Sequence, residues 1–195
     1  GVVKADQFWC NAEEGVVTVE DATLECTNGH YWNAYGGLNI GGKAATAVQH
    51  QGRGCVLNIK GHTPKVKTTN NRILVENESK VVFHLPADGY AAEAQPLMTT
   101  TTSRYFGFTV IDEGCAIEFV GAQEMLNHHR DVLKCRTSKY TLLESYEITI
   151  PDSVLEAANA SLPDGMQLKV ETPSAGVAQL NLYVKPKFGL VLTIR

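Results

Sequence analysis

The sequence predicts an all-β chain: a right-handed parallel β-helix (solenoid) with a C-terminal β cap. Three observations predict it. Short apolar–x–apolar triplets recur along the chain, turn-forming residues separate them, and the recurrence has a spacing near 20 residues.

The first copy is Val17-Thr18-Val19, then Glu20-Asp21-Ala22, then Thr23-Leu24-Glu25-Cys26. Leu38-Asn39-Ile40 follows with Gly41-Gly42, and Leu57-Asn58-Ile59 with Lys60-Gly61-His62. Ile73-Leu74-Val75 leads through Glu76-Asn77-Glu78-Ser79 into Lys80-Val81-Val82-Phe83, and Phe108-Thr109-Val110 through Ile111-Asp112-Glu113-Gly114 into Cys115–Phe119. Alternation of period two with Gly, Asn and Asp breaks makes each copy a pair of short strands. Val19 to Ile40 is 21 residues, Ile40 to Ile59 is 19 and Ile59 to Val75 is 16. Such steps suit stacked coils whose Gly and Asn corners take left-handed backbone angles. A β-sandwich or jelly roll is the alternative, since turns every 8–12 residues or so also yield a period of about 20.

Two segments break the rhythm. Pro86 to Arg104 reads as a long loop, and Glu124 to Tyr140 holds a short helix with apolar residues at 125, 126, 132 and 133. From Glu144 the texture changes. Tyr146–Ile150, a helical turn at Ser153–Ala160, and strand-like runs at Met166–Val170, Ala178–Val184 and Gly189–Ile194 follow, with hairpin breaks at Pro-Asp-Gly and Pro-Lys-Phe-Gly. The expected division is therefore 1–143 for the repeats and 144–195 for the β cap or a small β domain, because an open last coil would leave a pairing edge.

Composition narrows the function classes. The net charge of −4 comes without any Lys/Arg run, which argues against nucleic acid as a partner. No stretch approaches the roughly 18 apolar residues of a membrane span. A leading Gly1 fits a chain from which a targeting segment has been removed. The five cysteines, Cys10, Cys26, Cys55, Cys115 and Cys135, form no C-x-x-C pair, so they read as buried, reduced core residues, with Cys10–Cys26 the first disulfide to test.

No linear motif carries a reaction: there is neither G-x-S-x-G nor a P-loop, and Gly36–Lys43 reads as a tight β-corner. His128-His129 is a poor metal pair, because adjacent side chains diverge and rarely share one ion; together with His30, His50, His62 and His84 they read as solvated or singly bonded. No metal or other cofactor is expected. The candidate acid/base carboxylates are Glu76 and Glu78 in one turn and Asp112 and Glu113 in another, which in-register stacking would superpose. The same turns are where any solvent-facing loop places charge. The aromatic patch Tyr31, Trp32 and Tyr35 is the candidate ligand-binding surface, of the kind that stacks on sugar rings or protein partners.

In texture, the words at Val17–Cys26, Leu57–Lys67, Ile73–Leu85 and Phe108–Gly121 resemble the secreted bacterial β-helix proteins, which include the pectin-lyase-like superfamily and autotransporter-passenger or adhesin-like domains. That resemblance implies a secreted or cell-surface protein working in adhesion or in contact with glycans or other surface proteins. The chain departs from the lyase branch in lacking an Asp cluster for calcium and a paired Arg/Lys base, so no catalytic residue is transferred. The expected function is a non-catalytic β-solenoid module. The alternatives are a polysaccharide-degrading enzyme on the same scaffold and a β-sandwich carbohydrate-binding module.

Overall fold

A computed structural model describes residues 1–10, 12–27, 37–42, 52–69, 72–100, 107–133 and 136–186. Its strands come in rounds of three. The first round is β1 (Val2–Ala5), β2 (Phe8–Cys10) and β3 (Val16–Glu20), and the second is β4 (Thr23–Cys26), β5 (Gly37–Ile40) and β6 (Val56–Lys60). The third is β7 (Lys65–Thr68), β8 (Arg72–Val75) and β9 (Lys80–His84), and the fourth is β10 (Met98–Thr100), β11 (Phe108–Ile111) and β12 (Ala116–Val120). Helix α1 (Ala122–Asp131), β13 (Ser138–Ser145), β14 (Glu147–Thr149), helix α2 (Asp152–Ser161), β15 (Met166–Ser174) and β16 (Val177–Val184) complete the described elements.

The chain deals these strands in rotation to three sheets. The first sheet runs β1-β4-β7-β10-β13-β16-β15, the second β14-β11-β8-β5-β2 and the third β12-β9-β6-β3. Every join is parallel except β13–β16 and β16–β15. Hairpin-linked sandwich strands pair antiparallel, so the body of the molecule does not follow the sandwich pattern.

Register builds the core. Val19 lies beside Ile59, Ile59 beside Phe83 and Phe83 beside Phe119. The Phe83 and Phe119 rings stack with centroids 5.9 Å apart. In the first sheet Leu24, Val66, Met98, Leu143 and Leu180 form the equivalent column, all of them buried. Each side chain removed from water in this way stabilises the fold by about 1.5–3 kcal/mol.

Several expectations change here. The two strands of each repeat word do not pair with each other. Val17–Val19 belongs to the third sheet and Thr23–Cys26 to the first, and each pairs with its counterpart in the next round. The spacing near 20 therefore compared strands of different sheets. Within one sheet Val19 meets Ile59, 40 residues on, and Ile40 meets Val75, 35 residues on. Pro86 to Arg104 is not all loop, because Met98–Thr100 is a strand of the first sheet, drawn in by the fully buried Leu97 and Met98. The helix expected over Glu124 to Tyr140 ends at Asp131, and Ser138 begins an eight-residue strand. The hairpin turn of the C-terminal segment lies at Ser174–Val177, where Gly176 has φ 75°, and Pro163–Gly165 instead joins α2 to β15. Strand β13 crosses position 143/144, so the C-terminal segment extends the first sheet.

Candidate functional site

The four candidate carboxylates lie on one ridge, the corner between the second and third sheets, with Glu78 and Glu113 exposed and Glu76 and Asp112 half-buried. There the chain turns through Glu13-Glu14-Gly15, Arg53-Gly54-Cys55, Asn77-Glu78-Ser79 and Glu113-Gly114-Cys115 before entering the third sheet. The middle residue of each turn is left-handed: Glu14 (φ 54°), Gly54 (φ 68°), Glu78 (φ 57°) and Gly114 (φ 83°). A corner this tight requires that conformation, which glycine adopts freely and other residues only at a cost. Charge and glycine alternate along the ridge. A Cβ on Gly54 would sit 3.9 Å from Glu14 Cγ, and one on Gly114 would sit 4.0 Å from Glu78 Cγ, so each glutamate stem lies over the glycine of the next round.

Backbone bonds hold the turns in stack. Glu14 N–H donates to Arg53 O (2.8 Å), Gly54 N–H to Asn77 O (3.0 Å) and Ala116 N–H to Ser79 O (3.1 Å). The buried Ser79 hydroxyl accepts from Cys55 N–H at 3.1 Å, and the Asn77 amide donates to Gly41 O at 2.6 Å. A Cβ on Gly41 (φ 87°) would come within 2.2 Å of Glu76 O, so this approach of two rounds needs glycine.

The carboxylates are drawn into this scaffold. Glu78, exposed, receives a two-pronged bond from Arg53: Nε to Oε2 at 2.8 Å and Nη2 to Oε1 at 2.7 Å. That guanidinium holds the Glu78 carboxyl below the usual carboxylate range. Glu13, on the other side of Arg53, adds to the field that keeps the guanidinium charged. Glu13, Arg53, Asn77 and Glu78 line an open cleft of 280 Å³. Glu76 is half-buried and accepts from Asn39 Nδ2 at 3.2 Å. Asp112 stacks beside Glu76 in the register of Val75 with Ile111, and its backbone N–H donates to Val75 O at 2.9 Å. Glu113 is exposed at the outer tip of its turn. The turns thus superpose as in-register stacking requires, with an arginine among the acids that the linear pattern did not single out. Its signal was the glycine-flanked Gly52-Arg53-Gly54, the counterpart of the acidic turns.

Tyr31, Trp32 and Tyr35 lie outside the described residues, as do His30, His50 and Cys135. His62 and His84 are each singly bonded. His62 Nε2 meets Asp88 at 2.8 Å, and His84 Nε2 meets Asn58 Oδ1 at 3.1 Å. His129 is neither solvated nor singly bonded: it is fully buried, its Nδ1–H donates to Met125 O (2.9 Å) and its Nε2 shares a hydrogen bond with the Tyr140 hydroxyl (3.0 Å). The carbonyl can only accept, so the Nδ1 proton lies in that bond. Among the described residues no group of three or more His, Cys, Asp or Glu is arranged to hold a metal ion. No helix among them is long and apolar enough to cross a membrane.

A larger open cleft, 690 Å³, lies where α2 meets the hairpin, edged by Asp152, Glu156, Asn159, Asp164, Tyr183 and Lys185. Asn159 spends its side chain on structure there. Its amide donates to Leu155 O and Leu168 O, and its Oδ1 accepts from Leu168 N–H at 2.8 Å.

Fold and ridge together define a mostly β protein of stacked parallel sheets with an ion-paired corner. No known family, no curated protein and no solved structure matched the chain.

Proposed function

We propose that the chain is a non-catalytic, right-handed parallel β-solenoid module of a secreted or surface-exposed protein, serving as a spacer or an adhesive unit that contacts glycans or other surface proteins. The observation that supports this reading is the rotation of in-register strands over three sheets through four rounds, which makes a rod-like scaffold with a repeating outer surface. The engagement of Glu78 by Arg53 and of Glu76 by Asn39 supports a structural use of the corner acids. Incubation with a panel of polysaccharides tests it: binding without new reducing or unsaturated ends is expected, and turnover would overturn the non-catalytic reading. Small-angle scattering tests the solenoid, for which an elongated particle is expected and a spherical one would count against it. Protease shaving of intact source cells tests the location, with loss of the protein from the cell fraction expected.

One observation favours a second reading, cleavage of a polysaccharide by the corner acids. The stacking register sets Glu76 beside Asp112, and neighbouring strands lie about 4.8 Å apart, near the separation two glycosidase carboxyls need. Loss of turnover in both Glu76→Gln and Asp112→Asn, with folding intact, would establish it.

A further inference from the structure

We propose that Cys10 and Cys55 are a disulfide-forming pair, a modification site that ties the first round of the fold to the second. Cys10 ends β2 and Cys55 immediately precedes β6, so the two sit on either side of the same corner. Gly15 lies between them: its carbonyl accepts Val56 N–H at 2.8 Å, and a Cβ on Gly15 would lie 2.8 Å from Cys10 Sγ. The missing side chain at Gly15 is what leaves room for the sulfur. Cys55 Sγ donates to Cys10 O at 3.1 Å and to Ala12 O at 3.0 Å, which folds its thiol back over the Cys10 backbone. Cys55 is close enough to the Cys10 thiol to add to the upward shift that burial gives it. The other described cysteines are placed differently. Cys115 Sγ donates to Val75 O, and Cys26 stands in the first sheet, where its thiol meets the Phe8 backbone. The sequence alone had put Cys10–Cys26 first.

Both sulfurs are reduced and buried in this structure, with Cys10 8% and Cys55 0% exposed. Cys10 is the accessible partner, because β2 is the outer strand of its sheet. Burial pushes its thiol up to about 11, so little thiolate is present at neutral pH and exchange with an oxidant is slow. A small-molecule disulfide is sufficient. The Cys10 thiolate attacks one of its sulfurs and expels one thiolate, then the Cys55 thiolate attacks Cys10 Sγ in the mixed disulfide and expels the second. Two electrons pass from the protein thiols to the oxidant's disulfide, and the two thiol protons end on the two released thiols. The resulting bond joins positions 10 and 55.

The test is peptide mapping of the folded chain after exposure to oxidised glutathione, quenched with an alkylating agent. Cleavage after Glu13 and Glu25 separates Cys10 from Cys26, and cleavage after Arg53 and Lys60 isolates Cys55. The expected product carries a Cys10–Cys55 link as its dominant disulfide, with the link lost from that dominance when oxidation is run in urea. Any of three results would overturn the proposal: a dominant Cys10–Cys26 link, only glutathione adducts on intact chains, or the same mixture of links from folded and urea-unfolded protein. Because the wild-type chain is the sample, no variant has to fold for the result to be read.

Discussion

The two ends of the stack carry the same kind of strand and treat it in opposite ways. At the first round β1, β2 and β3 are the outer strands of all three sheets, and Val3 and Val16 are 59% and 64% exposed. At the other end α2 packs beside β12, where a fifth strand of the third sheet would lie. The first sheet closes on the antiparallel β15–β16 hairpin, and β14 abuts β16. Val3 belongs to the same column as Leu24, Val66 and Met98, which are 4%, 0% and 1% exposed. An apolar position in this fold is buried by the rounds above and below it, so the same residue type contributes fully in the middle and little at the open edge. Caps matter for the same reason: they supply the missing neighbour and blunt the edge.

The comparison predicts graded effects. The largest is at the capped end, where Leu180→Ala empties a fully packed position in the first sheet and should cost about 2–5 kcal/mol in urea unfolding. A loss below about 1 kcal/mol would break the claim that the hairpin completes the core.

Alkaline pH should probe the first two rounds next. Burial pushes the Cys10 and Cys26 thiols up to about 11, so folding favours their neutral form. The stabilisation is fully present below the unfolded thiol pKa and is lost as pH rises through the folded value. Stability should therefore fall between pH 9 and 11, by about 2–3 kcal/mol per thiol. The Cys10→Ser/Cys26→Ser double variant should flatten that limb of a Tm-versus-pH curve.

Asn159→Ala comes third. It removes two bonds that clamp α2 to β15 and one to Leu155 within α2, and should cost about 1–3 kcal/mol, with amide exchange at Leu168 accelerating first. The smallest effect is Val3→Ser, expected within about 0.5 kcal/mol of wild type by thermal melting. Native-state exchange should rank the ends in the same order, with β1 opening at lower free energy than β13 or β16. Equal protection at both ends would show that the first round is covered after all.

Much of this architecture was legible. The triplets Val17–Val19, Leu57–Ile59, Ile73–Val75 and Phe108–Val110 are all strand segments, and left-handed corners fall in the turns rich in Gly, Asn and Asp. Helix α2 and the strand runs from Met166 and Ala178 were also visible, since each carries a clear period. Met98–Thr100 was hidden because a three-residue strand has no room to show alternation. Arg53 beside Glu78 was hidden because 25 residues separate them and only stacking brings them together.

The sequence by itself determined which residues extend, which turn and which point inward, because period-two alternation and left-handed corners are local properties of the chain. The tertiary structure decided which strands are neighbours, and so replaced a spacing near 20 with rounds such as the 40 residues between Val19 and Ile59. It also folded the Cys55 thiol onto the Cys10 backbone and left Val3 in solvent while burying Leu24. The physical reason is common to all three. Parallel pairing joins residues far apart in sequence, with connections of variable length between them, and no local pattern records how long each connection is.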